Sequence, residues 1–317
     1  MKKMKTEFDS LNKEPLIKRG VKFGFRLNSK VSQAFIVGED RLERRNFLYE
    51  TFDLSNKERF YKKYEEASTG SGNPYKDFDA LRSSALCALL SFYNIKDLVI
   101  DGVHYDKAFF EVQNVVIEGE TPSNMDVVLV SNNNKTILFL ECKFSEYKSN
   151  KLQKIPNAYL DNCPLAKKLY DLLQANELAK IDRKERKFDF YTREAYSQGT
   201  KQVISHLVGI TSFINRKEGY DNIFSFYSNE DARKELYKES FDEIVFREIL
   251  FELKGYERVL NNYVTFSEKV RELFIKSGLI GNIKFAPATT YQEIFGGDNL
   301  NNLDDLVREF YRYGNKN

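Results

Sequence analysis

The sequence predicts an α/β (α+β) protein in which a small mixed central sheet is flanked by helices, with helical additions at both ends of the chain. Three observations predict it. Between residues 104 and 144, short apolar runs rich in Val, Ile and Phe read as strands, two of them joined by an Asn-rich turn. Segments with apolar residues at helical spacing lie before and after this block. The resulting order of helix, strands, hairpin, helix and strand is that of a sheet covered by helices.

Taken in order, Met1 to Lys30 carry nine Lys/Arg against three Asp/Glu. They read as a basic arm with strand-like pieces around Val21 to Leu27. From Arg41 to Ala67, charge and helix formers with Leu42, Phe47, Leu48 and Phe52 predict one or two amphipathic helices. Ser68 to Pro74 is a Gly/Ser loop and a domain boundary. Asp77 or Asp79 can cap the next helix, Phe78 to Tyr93, which is apolar nearly all round and so buried. His104 to Gln113, Val115 to Ile117, Met125 to Val130 and Thr136 to Phe144 read as strands, the last two as a hairpin about Asn132 to Asn134. Helices are expected at Pro164 to Lys180, Ser197 to Asn215, Glu230 to Leu253 and Val264 to Ser277. Strands are expected at Asn222 to Tyr227 and Ile283 to Thr290, with a short acidic helix near the C-terminus. Three segments follow: 1–74, the basic arm and amphipathic helices; 75–228, the central core; and 229–317, a mostly helical extension packed on that core.

The 317 residues are 42% hydrophobic and 30% charged, with a formal net charge of +2. That balance neither demands nor excludes a nucleic-acid partner; the distribution of charge matters more than its sum. No stretch approaches the ~20 apolar residues that span a bilayer, and the basic N-terminus has no apolar run behind it. A cytoplasmic protein with no membrane partner is expected. Cys87, Cys142 and Cys163 lack C-x-x-C spacing and read as thiols of a reducing compartment. His104 and His206 are too few and too far apart for a zinc motif.

The chemistry concentrates between Thr121 and Tyr147. Side chains alternate along a strand, so Phe139, Glu141 and Lys143 share one face while Leu138, Leu140 and Cys142 share the apolar one. The strand thus ends by presenting a carboxylate beside an ammonium. Asp126 opens the partner strand, and the hairpin returns it to the neighbourhood of Glu141. Hydrolysis of a phosphodiester needs such a set. Mg²⁺ binds oxygen and usually sits on one or two carboxylates plus water and phosphate, a role open to Asp126, Glu141 and the Cys142 carbonyl, with Mn²⁺ as a substitute. Lys143 is a compact charge able to orient water and to stabilise charge developing on phosphate oxygens.

Asp126, a gap of 14 residues, then Glu141-Cys142-Lys143 at the end of an apolar strand resemble the PD-(D/E)XK nuclease superfamily, the restriction-endonuclease-like proteins. Asn124-Met125 stands where that family often has Pro before the Asp. The resemblance covers about Asp79 to Tyr227. It implies a restriction-endonuclease-like core and a metal-dependent endonuclease acting on nucleic acid, double-stranded DNA before RNA, in a restriction or defence role. It also implies a Gln on the helix after the E-x-K strand, near the metal, and Gln202 is the match. In that helix Gln202, His206 and Gly209 share a face, with Ser205 and Lys201 beside them.

Each element has a plainer meaning. E-x-K at a strand end is often a surface ion pair, an Asp before a strand a turn residue, and Gln202 a solvated helix residue. A lone His206 is more often structural than functional. One of Glu111, Glu118 and Glu120 is a candidate ligand for a second metal ion, while most of the three are expected to face solvent. Ser83-Ser84 either donate to phosphate or pack. Lys143 to Lys168 carry six Lys against two Asp/Glu, interleaved with Tyr147, Tyr159 and Tyr170. That stretch is a phosphate track with stacking rings or a solvated face with inward tyrosines. The C-terminal segment offers a surface for a homodimer, for DNA reading or simply for covering the core. The alternative to an enzyme is a non-catalytic nucleic-acid-binding protein of the same fold.

Overall fold

The computed structural model describes residues 23–28, 31–36, 41–68, 83–117, 122–144, 153–155, 157–182, 187–189, 197–215 and 235–314. The elements in chain order are β1 (Phe23–Asn28), β2 (Val31–Ile36), α1 (Arg41–Thr51), α2 (Lys57–Ala67), α3 (Ser84–Phe92), β3 (Leu98–Ile100), β4 (Val103–Asn114), β5 (Ser123–Ser131) and β6 (Thr136–Lys143). Then come β7 (Gln153–Lys154), α4 (Asn157–Asp161), α5 (Pro164–Ala175), β8 (Lys180–Asp182), β9 (Lys187–Asp189) and α6 (Ser197–Asn215). The C-terminal third holds β10 (Glu243–Leu250), α7 (Glu257–Ser277), β11 (Ile283–Phe285), β12 (Thr289–Thr290), α8 (Tyr291–Ile294), a 3₁₀ turn (Gly297–Asn302) and α9 (Asp305–Tyr311).

The fold is the expected mixed one. A seven-stranded sheet runs β11-β10-β6-β5-β4-β3, with β12 also on β10. The strands β3 to β6 are antiparallel to their neighbours, whereas β10 lies parallel to β6. That parallel pairing needs a crossover, since a hairpin cannot make it, and α6 lies in the chain between the two strands. Two apolar clusters cover the sheet. One joins α1, α2 and α3 to Leu138, Leu140 and Cys142 of β6 and to the C-terminal helices. The other joins α5 and α6 to Ile137 and Phe139. The expected division of β6 into two faces is therefore present. All eight residues of β6 are buried, as befits a strand with neighbours on both edges and layers on both faces.

Local chemistry sets several boundaries. Ser83 caps α3, accepting the Leu86 N–H at 3.2 Å, while Asp77 and Asp79 lie outside the described residues. At the β5–β6 turn, Ser131 Oγ accepts the Thr136 N–H at 2.9 Å and Asn134 takes the left-handed conformation at φ 56°, where Asn is tolerated. The far edge of the sheet is finished by side chains. Asn299 accepts the Val99 N–H at 2.9 Å and donates to the Val99 carbonyl at 2.7 Å, and Asn302 does the same work on Lys96 and Asp97.

Three expectations are corrected. Glu243 to Leu250, expected within a helix, is β10, a strand inside the sheet. Its charges at 243, 247 and 248 mimic helical spacing, but they are satisfied by neighbours: Arg247 pairs with Asp101, and Glu248 accepts from Tyr263 and Ser267. Residues 229–317 are for that reason more than a helical extension, since they supply β10, β11 and β12 to the sheet. Val115 to Ile117 follows β4 without being a strand. The expected strand at 222–227 lies outside the described residues, as do 69–74 of the loop and the N-terminal arm before Phe23. Among the described residues, no helix is long and apolar enough to cross a membrane.

Candidate active site

The site forms where four strands carry acids in one row. Phe110 pairs with Val127 and Val112 with Met125, which sets Glu111 opposite Asp126. Val127 pairs with Leu140, which sets Asp126 beside Glu141, and Glu141 pairs with Glu248 on β10. The row Glu111, Asp126, Glu141, Glu248 coincides with a change in the sheet. Phe110 and Val127 belong to one apolar cluster, but Val112 and Met125 belong to the other. Residues two apart in a regular strand point the same way, so β4 and β5 turn over together at Glu111 and Asp126. Glu111 does this at φ 48°, a left-handed conformation rarely adopted by Glu.

Glu141 and Lys143 are each only 2% exposed. Lys143 Nζ donates to Glu141 Oε1 at 2.6 Å and to Gln202 Oε1 at 2.8 Å. The second Glu141 oxygen, Oε2, lies 2.6 Å from His206 Nε2. Burial opposes ionisation of Glu141, but the Lys143 charge and the hydrogen bonds from Lys143 and His206 outweigh it and hold the carboxyl at about 2. For Lys143, burial disfavours the charge, yet Glu141, Glu248 and Asp126 more than compensate and keep it cationic. The two form a buried, hydrogen-bonded pair, unlike the exposed E-x-K pairs that contribute little.

Asp126 is half-buried and accepts the Cys142 N–H through Oδ2 at 2.6 Å. Burial first, then the charges of Glu141 and Glu111, push its carboxyl well above the usual range. Glu111, expected to face solvent, is instead buried and accepts from Asn124 at 3.3 Å. Burial chiefly, with the Glu141 charge adding to it, raises Glu111 to about 8 against the opposing Asn124 donor. These three carboxylates repel one another across the row.

From the opposite side, α6 delivers Gln202 and His206 on the face expected for them. Gly209 completes it: a Cβ there would stand 2.9 Å from Asn114 Cβ and 3.3 Å from Ser123 Cβ, so the helix touches the sheet because residue 209 has no side chain. His206 Nδ1 lies 2.5 Å from Ser123 Oγ. Ser123, His206 and Glu141 have the composition of a hydrolase triad, but the line lies under α6 with Ser123 buried, and its shape is that of a brace. Ser205 pairs with Tyr159 at 2.6 Å, and Tyr170 is buried in the same cluster, so both tyrosines pack inward. Lys201 is half-buried, and burial lowers its pKa. Ser83 serves as a helix cap. Tyr147, Glu118 and Glu120 lie outside the described residues. The described cysteines are free thiols, all buried.

The donor set suits a hard cation. Asp126, Glu141 and the Cys142 carbonyl offer oxygen alone, Glu111 lies beside them, and the mutual repulsion of the acids is what a divalent cation would relieve. Among the described residues, no three His, Cys, Asp or Glu side chains are arranged as a ready metal cage. Both Glu141 oxygens already face Lys143 and His206, so a cation would share that carboxylate with them. Compared with known proteins, the chain matches no family model, no curated protein and no solved structure.

Proposed function

We propose that this chain is a metal-dependent nuclease of the PD-(D/E)XK type, hydrolysing phosphodiester bonds of nucleic acid, DNA before RNA, with Asp126, Glu141, Lys143 and Gln202 as its catalytic set. One observation carries the reading. A buried Glu141–Lys143 pair ends a central strand, Asp126 stands beside it on the neighbouring strand, and Gln202 reaches Lys143 from the crossover helix. A pair left so dry needs a reason, because two buried charges cost several kcal/mol each in desolvation and are rarely kept for stability alone. The strand order supports the same reading: β4, β5 and β6 antiparallel, then a helix, then β10 parallel to β6.

Asp126, Glu141 and the Cys142 carbonyl would hold Mg²⁺, or Mn²⁺ in its place. When bound, such a cation supplies Lewis-acid polarisation of the phosphate and a water of lowered pKa. Lys143, fixed by Glu141 and Gln202, holds its ammonium toward the attacking water and toward charge developing on the phosphate. Asp126 and Glu141 orient the group they bind through the Cys142 N–H and the His206 ring. A cytoplasmic setting and a restriction or defence role belong to this proposal, as does a homodimer.

The runner-up, a nucleic-acid-binding protein of this fold without catalysis, draws on the engagement of both Glu141 oxygens by protein side chains, Lys143 and His206. The test separates the two. Plasmid DNA, single-stranded DNA and RNA are incubated with protein in Mg²⁺, Mn²⁺ or EDTA, beside Lys143→Ala and Asp126→Ala. Cutting that requires metal and falls by about 10²–10³-fold in Lys143→Ala is the expected result. Binding of nucleic acid without cutting in any metal would favour the runner-up.

A further inference from the structure

We propose that His206 is a positioning residue, fixing the orientation of Glu141 for the divalent cation through a hydrogen-bonded line that starts at Ser123. The inference rests on the nuclease reading of the site and deepens it. Ionised Glu141 can only accept hydrogen bonds, so the 2.6 Å contact requires the proton on His206 Nε2. In the neutral ring Nδ1 then accepts, and the Ser123 hydroxyl at 2.5 Å is its donor. Ser123 thereby selects the tautomer that donates to Glu141. Partners of this kind, standing behind a ligating group, set its direction and basicity.

A second observation concerns the helix. His206 reaches the sheet because Gly209, one turn on, lets α6 lie against Asn114 and Ser123. The Phe246 ring, 6.0 Å from the imidazole, closes the side facing β10. On the other side, Lys143 holds the remaining Glu141 oxygen. The carboxylate is thus gripped from two elements, β6 and α6. Its plane is set jointly by Lys143, within the E-x-K strand, and by His206, which lies outside β5 and β6.

The test measures Mn²⁺ affinity by calorimetry and plasmid cleavage over a range of Mn²⁺ concentrations. It compares wild type, His206→Gln and His206→Leu, with folding checked by circular dichroism. Leucine fills the space without a donor, whereas glutamine retains an N–H. His206→Leu should bind Mn²⁺ about 10–100-fold more weakly, and cleavage should need correspondingly more Mn²⁺. His206→Gln should keep most of the affinity. Equal losses in the two variants would show packing alone and overturn the proposal, as would no loss in either. If the leucine variant fails to fold, Gly209→Ala serves, since it moves the helix while leaving the imidazole. Weaker Mn²⁺ binding is expected there, and unchanged binding overturns the role. A wild-type protein that neither binds Mn²⁺ nor cuts nucleic acid would instead overturn the nuclease reading itself. Metal-dependent cutting in wild type, with His206→Leu indistinguishable from it, would remove only the role of His206.

Discussion

On one face of β6, Leu138, Leu140 and Cys142 enter a core closed by Phe144, Phe251, Tyr291 and Tyr311. On the other, Phe139 is followed by Glu141 and Lys143, so the lining passes from aromatic to ionic within four residues. The first face is dense in rings: Phe144 stacks on Phe251 with centroids 4.3 Å apart, and Tyr311 lies 5.6 Å from Phe251. Its thiols and phenols, Cys87, Cys142, Tyr291 and Tyr311, are pushed upward by burial and so kept neutral. The second face holds charges in the same degree of burial and satisfies them with one another. One strand therefore does two jobs. Its apolar side contributes free energy of folding, and its ionic side spends some of that gain on a preorganised site.

Either face of β6 can be perturbed without touching the other. The largest effect should come from Lys143→Met, which leaves the buried Glu141 carboxylate with His206 as its remaining hydrogen-bond partner. A loss of about 3–5 kcal/mol is expected in urea unfolding at neutral pH. A loss under about 1 kcal/mol would mean that water reaches the pair. Leu138→Ala on the opposite face should cost about 2–5 kcal/mol by cavity formation while leaving Mn²⁺ affinity unchanged. A changed affinity would show that the two faces are coupled.

The smallest effect should be a gain. Glu111→Gln removes a buried, repelled carboxylate and should stabilise the metal-free protein by about 0.5–2 kcal/mol at pH 8, at the expense of activity. The sign follows from linkage. Glu111 is raised from 4.5 to about 8 on folding, so the folded state binds the proton more tightly. Its contribution is fully present below the unfolded value and is lost as pH rises from about 4.5 through about 8. Glu141 runs the other way: lowered from 4.5 to about 2, it stabilises above its unfolded value and loses that contribution as pH falls toward about 2. The metal-free protein should thus lose stability toward alkaline pH, and Glu111→Gln should flatten the slope. Thermal melts from pH 5 to 9 check this, and an unchanged slope would assign the loss to other groups.

Much of this could be read along the chain. The hairpin from β5 to β6, the burial of α3 and the extent of α6 follow from local periodicity and turn residues, and so does the facing of Glu141 and Lys143. Gln202, His206 and Gly209 could be placed on one helix face by spacing alone. What they touch could not, because it depends on how closely α6 approaches the sheet, and that distance is set by the missing side chain at 209 meeting Asn114 and Ser123. β10 was illegible for a different reason: a strand buried on both faces loses its alternation, and its buried Arg247 and Glu248 find partners on remote elements. Glu111 was hidden because the reversal of faces at a left-handed residue leaves no mark in the pattern of apolar residues.

The asparagines at the outer edge bear on assembly. Val99 of β3 has its N–H and its carbonyl taken by Asn299, and Asn302 takes the backbone just before the strand. The 3₁₀ turn acts as a dummy strand, offering the sheet the partners that another polypeptide would bring and then stopping. A second copy could extend the sheet at β3 only by evicting both side chains, so recruitment there is discouraged in the way that natural sheets guard their margins. Whatever pairs two such molecules must use another surface, because the backbone groups of β3 are closed to an intruding strand in the folded protein.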